Sequence, residues 1–323
     1  MNKKVVVLGG GKGISYLLAG LKDFPLDITA VISVADNGQS TGKLREEFHI
    51  PAVGDIRKVI TSLSESDENI KEMLAYRFHT TSDLDGHALG NLILTSLLDI
   101  TGSLKSAIEE LSILLDVKSK ILPLTEDENI TLMGEAIDGD IIEGEEMITK
   151  SPKKIKKLFY KEEPHILNEV IEAINEADLI LLSMGSLYTS LFPNLLAKKV
   201  IKALDKTKAP IMYVCNIVTQ PGETDNFTVS DHVNLINQYL GTHKLDVVIA
   251  SNSPISQEMA EKYASEERKD PVKIDYAVLK SLDVEFIEAD LLTIADNTLK
   301  HHSQKLSSLI FSYLMRWWYV FYN

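Results

Sequence analysis

Short, mostly apolar runs recur along this chain, and the longer stretches between them carry apolar residues three and four apart. The runs at 5–8, 28–33, 179–183, 211–215 and 247–250, with a further one at 284–287, read as strands. Consecutive apolar residues without alternation suit strands covered on both faces. Between them the spacing predicts helices over 14–21, 188–204, 230–239 and 256–264. Strands alternating with helices give an α/β class: a Rossmann-like, doubly wound, mostly parallel sheet. In such a sheet ligands bind beyond the carboxyl ends of the strands, so the residues following each strand are the ones to read for chemistry.

The interval between the second and third of these strands breaks the rhythm. Residues 55–160 read as an insertion, helical over 55–115, where "DIRKVITSL", "IKEMLAYRF" and "GHALGNLILTSLLDI" have helical spacing. Over 118–160 the pieces "KSKILPL", "NITLMGEAI" and "KIKKLFY", separated by "DGD" and "EGE" turns, predict a small antiparallel appendage. No repeat or long linker divides the chain, so residues 1–323 read as one domain. The tail 311–323 is atypically aromatic and carries Arg316, and the hydrophobic stretch is too short to span a bilayer. It reads as a terminal helix packed on the body or an altered chain end, with dimer contact or membrane-surface attachment as alternatives.

Composition narrows the partners. With 47 acidic against 33 basic residues the net charge is −14, which repels a nucleic-acid backbone. Cys215 is the single cysteine, which excludes an intrachain disulfide and suits a reducing cytoplasm. Neither a cleavable signal nor a transmembrane segment is expected.

The first strand runs into "GGGKGIS", where Gly9, Gly10, Gly11 and Gly13 surround Lys12. It matches neither G-x-x-x-x-G-K-[ST] nor G-x-G-x-x-G, because Ile14 stands at the third glycine of the latter. What remains is a strand, a turn nearly without side chains and a helix N-terminus, an arrangement suited to phosphate or diphosphate. After the second strand, Asp36 stands about where a nicotinamide enzyme holds its ribose carboxylate, while Gly38, Ser40, Thr41 and Gly42 form a hydroxyl-rich turn suited to phosphate. Asp55 reads as a helix cap with Arg57 in the first turn, where a cation opposes the helix dipole and calls for an anionic partner. The third strand leads to Ser186, Tyr188, Thr189 and Ser190. The fourth leads to Asn216, Thr219, Gln220, Gly222, Glu223 and Thr224, whose amides could read a base or an acetamido sugar. His87 and Asn91 share a helical face, with His87 read as structural, and His301 and His302 read as surface residues of the C-terminal helix. Asp36, Asp55, Asp83 and Asp85 are the carboxylates available to a magnesium ion on a diphosphate. No zinc spacing or nucleophile elbow is present.

Four stretches, "GGGKGISYLLAGLK", "VADNGQSTGKLRE…PAVGDIR", "LDGHALGNLIL" and "GSLYTSLFPNLL…CNIVTQPGETDNFTVSDH", together resemble the YvcK-type gluconeogenesis factors, relatives of 2-phospho-L-lactate transferase (CofD). The resemblance implies a Rossmann-like core and a cytoplasmic bacterial homodimer. It also implies a binder of UDP-sugars such as UDP-N-acetylglucosamine that supports cell-wall synthesis and cell shape during gluconeogenic growth. Carried onto matching positions, it implies a cleft formed by Gly9 to Ser15, Asp36 to Gly42 with Asn37 included, Gly54 to Arg57, Asn91, Gly185 to Tyr188 with Leu187, and Asn216 to Thr224. The family writes VADDGGSSG where this chain has Asn37 and Gln39, which weakens a metal site and leaves Asp36 as its candidate ligand. Ser183 and Met184 replace a usual Gly-Pro, and Lys12 a usual Ser or Thr. A sugar-nucleotide-binding regulator needing no cofactor is the leading expectation. The alternatives are a magnesium-dependent transferase of a phosphorylated group from a nucleoside-diphosphate donor, and a nicotinamide-dependent oxidoreductase.

Overall fold

The computed structural model describes residues 2–295 and 297–322, with side chains through Arg316. Among the described residues twelve strands are formed: β1 (Lys3–Gly9), β2 (Leu26–Ile32), β3 (Lys120–Pro123), β4 (Leu132–Ala136), β5 (Ile141–Glu143), β6 (Ile155–Tyr160), β7 (Leu179–Leu182), β8 (Ile211–Val214), β9 (Val247–Ser251), β10 (Glu285–Ala289), β11 (Leu292–Ala295) and β12 (Thr298–His301). Seven make one parallel sheet in the order β10-β9-β8-β7-β1-β2-β3. The order reverses direction at β1, so the crevice between the ends of β1 and β7 is the topological switch point where ligands bind in sheets of this kind.

Alternate residues of each strand feed two cores. Val5 and Val7 of β1 and Ile28, Ala30 and Ile32 of β2 enter one, while Val6, Leu8 and Val31 enter the other. The first core is closed by α1 (Gly11–Leu21), α3 (Gly54–Leu63), α4 (Glu68–Ala75), α5 (Leu89–Thr101) and α6 (Leu104–Leu114), and α2 (Gln39–Phe48) adds Leu44. The segment read as a helical insertion is therefore the crossover layer between β2 and β3. Its "KSKILPL" is also corrected: Lys120–Pro123 pairs in parallel with Thr29–Ile32 as the sheet's edge rather than joining the antiparallel appendage. That appendage is a three-stranded sheet of order β5-β4-β6 followed in space by α7 (Glu145–Lys150), which the sequence pattern did not announce. The helix read over 188–204 is also broken. A π-turn at Leu187–Leu191 runs into Phe192–Leu195, and after extended Ala197 a second helix spans Lys198–Leu204.

The C-terminal helix Ser303–Tyr322 packs on α1, where its Ser303 carbonyl and Ser307 leave Gly20 no space for a side chain. Ile310, Tyr313 and Leu314 are buried in the first core, and Phe311 lies 5.2 Å from Phe24. The rest of the aromatic tail, 317–323, lies outside the described side chains. Among the described residues no helix is long and apolar enough to cross a membrane.

Candidate functional site

On the β1–β2 side, the chain leaves β1 at Gly9 and enters α1 at Gly11, whose φ of +66° demands glycine. Gly13 is needed for a different reason: a side chain there would run into the Met184 carbonyl of the loop after β7. The Gly11 amide donates to Asp55 Oδ2 at 2.5 Å, and Asp55 Oδ1 accepts from Lys58 Nζ at 2.7 Å. Asp55 thus caps α1 and not its own helix, whose N-cap is Val53, without a side-chain bond. Helix ends leave unsatisfied amides that attract carboxylates, and here an internal one stands at the turn read as a phosphate site. Ser15 bonds back to the Gly11 carbonyl, and Lys12 is exposed.

After β2, Asp36 Oδ1 accepts from the Gly38 amide at 2.9 Å. Ser40, Thr41 and Gly42 lie in the first turn of α2, so the predicted second turn is a second helix N-terminus. Asn37 faces elsewhere: its Oδ1 accepts from the Glu146 amide of α7. A buried chain of polar groups follows. Arg57 Nε donates to Asn91 Oδ1 (3.3 Å), Asn91 Nδ2 donates to Ser40 Oγ (3.3 Å), and Ser40 Oγ lies 3.1 Å from His87 Nδ1. Gly54 is pressed against Thr41 and Asp36, locking α3 to α2. Arg57 is 6% exposed and, among the described residues, is in salt-bridge contact with no carboxylate, although the Asp55 carboxylate acts on it electrostatically. Its pKa is lowered by burial and then by the nearby Arg77 guanidinium.

On the β7–β8 side the polar groups bond to one another. Asn216 clamps the Gly185 peptide, accepting from its amide at 2.8 Å and donating to its carbonyl at 2.7 Å. Glu223 accepts from Ser186 Oγ at 2.7 Å and from the Tyr188 amide at 3.4 Å. Thr224 Oγ1 accepts from the Gln220 amide, Thr219 Oγ1 from the Asp270 amide, and Gly222 donates to Asp225. The side chains of Ile14, Leu187 and Tyr188 belong to the two cores, and Thr224 is wholly buried, so these positions offer a ligand little beyond backbone.

Residues 5–292 match the family model described as 2-phospho-L-lactate transferase CofD. The chain belongs to the CofD family. It is 40% identical over 308 residues to the gluconeogenesis factor of Bacillus subtilis (strain 168), covering 95% of this chain and 96% of that one. It is 42% identical over 309 residues to the gluconeogenesis factor of Halalkalibacterium halodurans, covering 95% of each. A crystal structure of a UPF0052 family member from Bacillus halodurans superposes with a TM-score of 0.92 at 42% identity, covering 96% of this chain and 99% of that chain.

In this CofD-family chain the structure adds Glu145 to the Asp36, Asp55 and Glu223 carboxylates read from the sequence. Burial, and then the Asp55 carboxylate, raise the pKa of Asp36. Glu145, at the start of α7, is raised to about 7 by burial and then by Asp36, and it accepts from Thr149 Oγ1. Burial also raises Glu223 to about 7, with Glu145 adding to the shift. Glu145 lay hidden in an "EGE" turn, and only packing of α7 against the π-turn brings it here. Asp83 and Asp85 are exposed on the loop before α5 and are not part of this group. Among the described residues no three His, Cys, Asp or Glu side chains converge as metal ligands. The histidine reading is corrected too. His301 ends β12 and is buried against the Cys215 carbonyl at 3.1 Å, with its pKa lowered to about 4 by burial.

Proposed function

We infer that this chain is a gluconeogenesis factor that binds a UDP-sugar of the UDP-N-acetylglucosamine kind and acts as a regulator without turnover. The observation that carries this reading is Arg57, a buried guanidinium bonded to Asn91, with no carboxylate hydrogen bonded to it among the described residues, set beside the first turn of α2. Burying a cation that the Asp55 carboxylate offsets only in part is costly, and a diphosphate resting on that helix N-terminus offsets the remaining cost. The gluconeogenesis-factor name borne by relatives at about 40% identity supports the role. A part in cell-wall synthesis and cell shape during gluconeogenic growth is the further role we propose, on the family resemblance of the four sequence stretches.

A second reading has its own support. Asp36 and Asp55 approach each other at the crevice floor, where they could hold a magnesium ion on a diphosphate, and Glu145 has a pKa suited to proton transfer near neutrality. That set favours magnesium-dependent transfer of a phosphorylated group from a nucleoside-diphosphate donor. Titration calorimetry with UDP-N-acetylglucosamine separates the two. Binding without magnesium that is lost in Arg57→Met supports the regulator. Binding only with magnesium, lost in Asp36→Asn, supports the transferase. Heat from neither condition removes both.

A further inference from the structure

The C-terminal helix Ser303–Tyr322 has two faces. Leu306, Ile310, Tyr313 and Leu314 enter the first core, while Lys305, Ser308, Ser312 and Met315 form an exposed stripe at helical spacing. A groove of about 470 Å³ follows that stripe from Gln304 to Ser312, beside the connection between β10 and β11. Leu291 and Leu309 give it apolar walls, Ser308 and Ser312 keep its helical side low, and the ion pair of Lys305 with Asp290 stands at one edge. Beyond the groove the same helix runs on to Tyr322, and its last six residues read Trp-Trp-Tyr-Val-Phe-Tyr.

We propose that this groove receives the aromatic end of a second copy's C-terminal helix, the two helices packing antiparallel about a two-fold axis at Ser312. The contact is independent of the nucleotide-sugar reading, and the helix begins after residue 292, where the family match ends. Lengths agree. At 1.5 Å per residue the groove from Gln304 to Ser312 and the helix from Ser312 to Val320 each extend about 12 Å from that axis, so 312–320 of one copy lies along 304–312 of the other. A helix cannot reach its own groove, because its end continues away from it; a two-fold partner makes the same contact twice and closes the assembly. Ser308 and Ser312 leave room for helix axes about 8–10 Å apart. The pairing sets Arg316 of one copy against Ser308 of the other, one turn from the Asp290 carboxylate at the groove edge. Surface is sufficient as well: each buried aromatic residue removes about 150–250 Å² from water, and five of the last six helical residues are aromatic. A stable interface needs roughly 800 Å² per partner. A bilayer surface is the poorer occupant, since a net charge of −14 is repelled by anionic headgroups.

The test is sedimentation velocity of the full chain over a hundredfold range of concentration. A reversible dimer is expected, and Ser312→Arg, which sets two cations against each other on the axis, should raise its dissociation constant roughly tenfold or more while leaving the melting temperature of the monomer unchanged. Ser312→Cys marks this interface against any other. The axis brings each position 312 against its own copy, so diamide should link the variant into a disulfide dimer, and Cys215 is buried and does not compete. A chain that stays monomeric throughout overturns the proposal, as does a dimer that Ser312→Arg leaves intact. Should Ser312→Arg fold poorly, the disulfide decides, and a dimeric Ser312→Cys variant that diamide does not link counts against the contact. A monomeric chain that floats with vesicles of phosphatidylcholine and phosphatidylserine assigns the helix end to lipid and overturns it too.

Discussion

On the β8 side of the crevice, Asn216, Glu223 and Thr224 bond to backbone and hydroxyl groups of neighbouring loops, while on the β2 side Arg57 bonds to Asn91 and, among the described residues, to no carboxylate. Both rims are hydrogen bonded internally, but they differ in buried charge. One rim is satisfied internally and works as a frame. The other keeps a buried cation beside a helix N-terminus, which is the condition of a site built for an anion. Residue type alone does not separate frame from site; the balance of buried charge does.

Substitutions should break that contrast in order of size. The largest effect is expected at the frame's tightest point: Gly13→Ala places a methyl against the Met184 carbonyl, a backbone atom that cannot swing aside. We expect a loss of about 3 kcal/mol or failure to fold, read by denaturant titration. Wild-type stability in that variant would show that the loop after β7 is not seated on α1. Asn216→Ala should come next, at about 2 kcal/mol, because it leaves both the Gly185 amide and carbonyl without their partner. Its ligand affinity should fall only as the loop loosens.

Arg57→Met is the opposite case. It removes a buried cation, so stability should change by less than about 1 kcal/mol, or rise, while affinity for UDP-N-acetylglucosamine drops roughly a hundredfold. A variant with large stability loss and intact affinity would make Arg57 part of the frame, and the contrast between rims would collapse.

The same contrast explains what could be read in the sequence. The central strands were legible because they are buried on both faces and therefore apolar, as in "VVVL" and "LILL". The edge strand Lys120–Pro123 was not, because four residues beside a charged stretch look the same in a parallel edge as in a hairpin. Glycine runs drew attention to the turn after β1, but Gly9, Gly13 and Gly54 are small because Ser183, Met184 and Thr41 press on them. That pressure comes from other elements and leaves no local signature. Glu145 was illegible for the same reason, since its significance depends on where α7 docks.

The smallest expected effect concerns pH, and it bears on both rims. Glu145 and Glu223 have folded pKa values near 7, above the ordinary glutamate value of 4.5. Between those limits the folded chain binds more protons than the unfolded one, so their contribution to stability falls as pH rises from about 4.5 to 7. His301 works the other way: lowered to about 4, it makes the fold gain stability as pH rises from 4 to 6.5, and the lowered His232 pulls in the same direction. The net curve therefore mixes opposite slopes, and the informative quantity is a difference. Glu223→Gln keeps an acceptor for Ser186 but removes the titration, so the wild type should be the more stable of the two at pH 5 and lose that advantage by pH 8, as melting temperatures in matched buffers would record. Glu145→Gln should show the same trend. In addition, because Glu145 faces Asp36, neutralising it should flatten the decline of nucleotide affinity expected between pH 6 and 8, as the crevice gathers negative charge against a diphosphate. A wild-type-to-variant difference independent of pH in both cases would mean that these carboxylates are ionised throughout, and that the crevice carries its full negative charge already at pH 5.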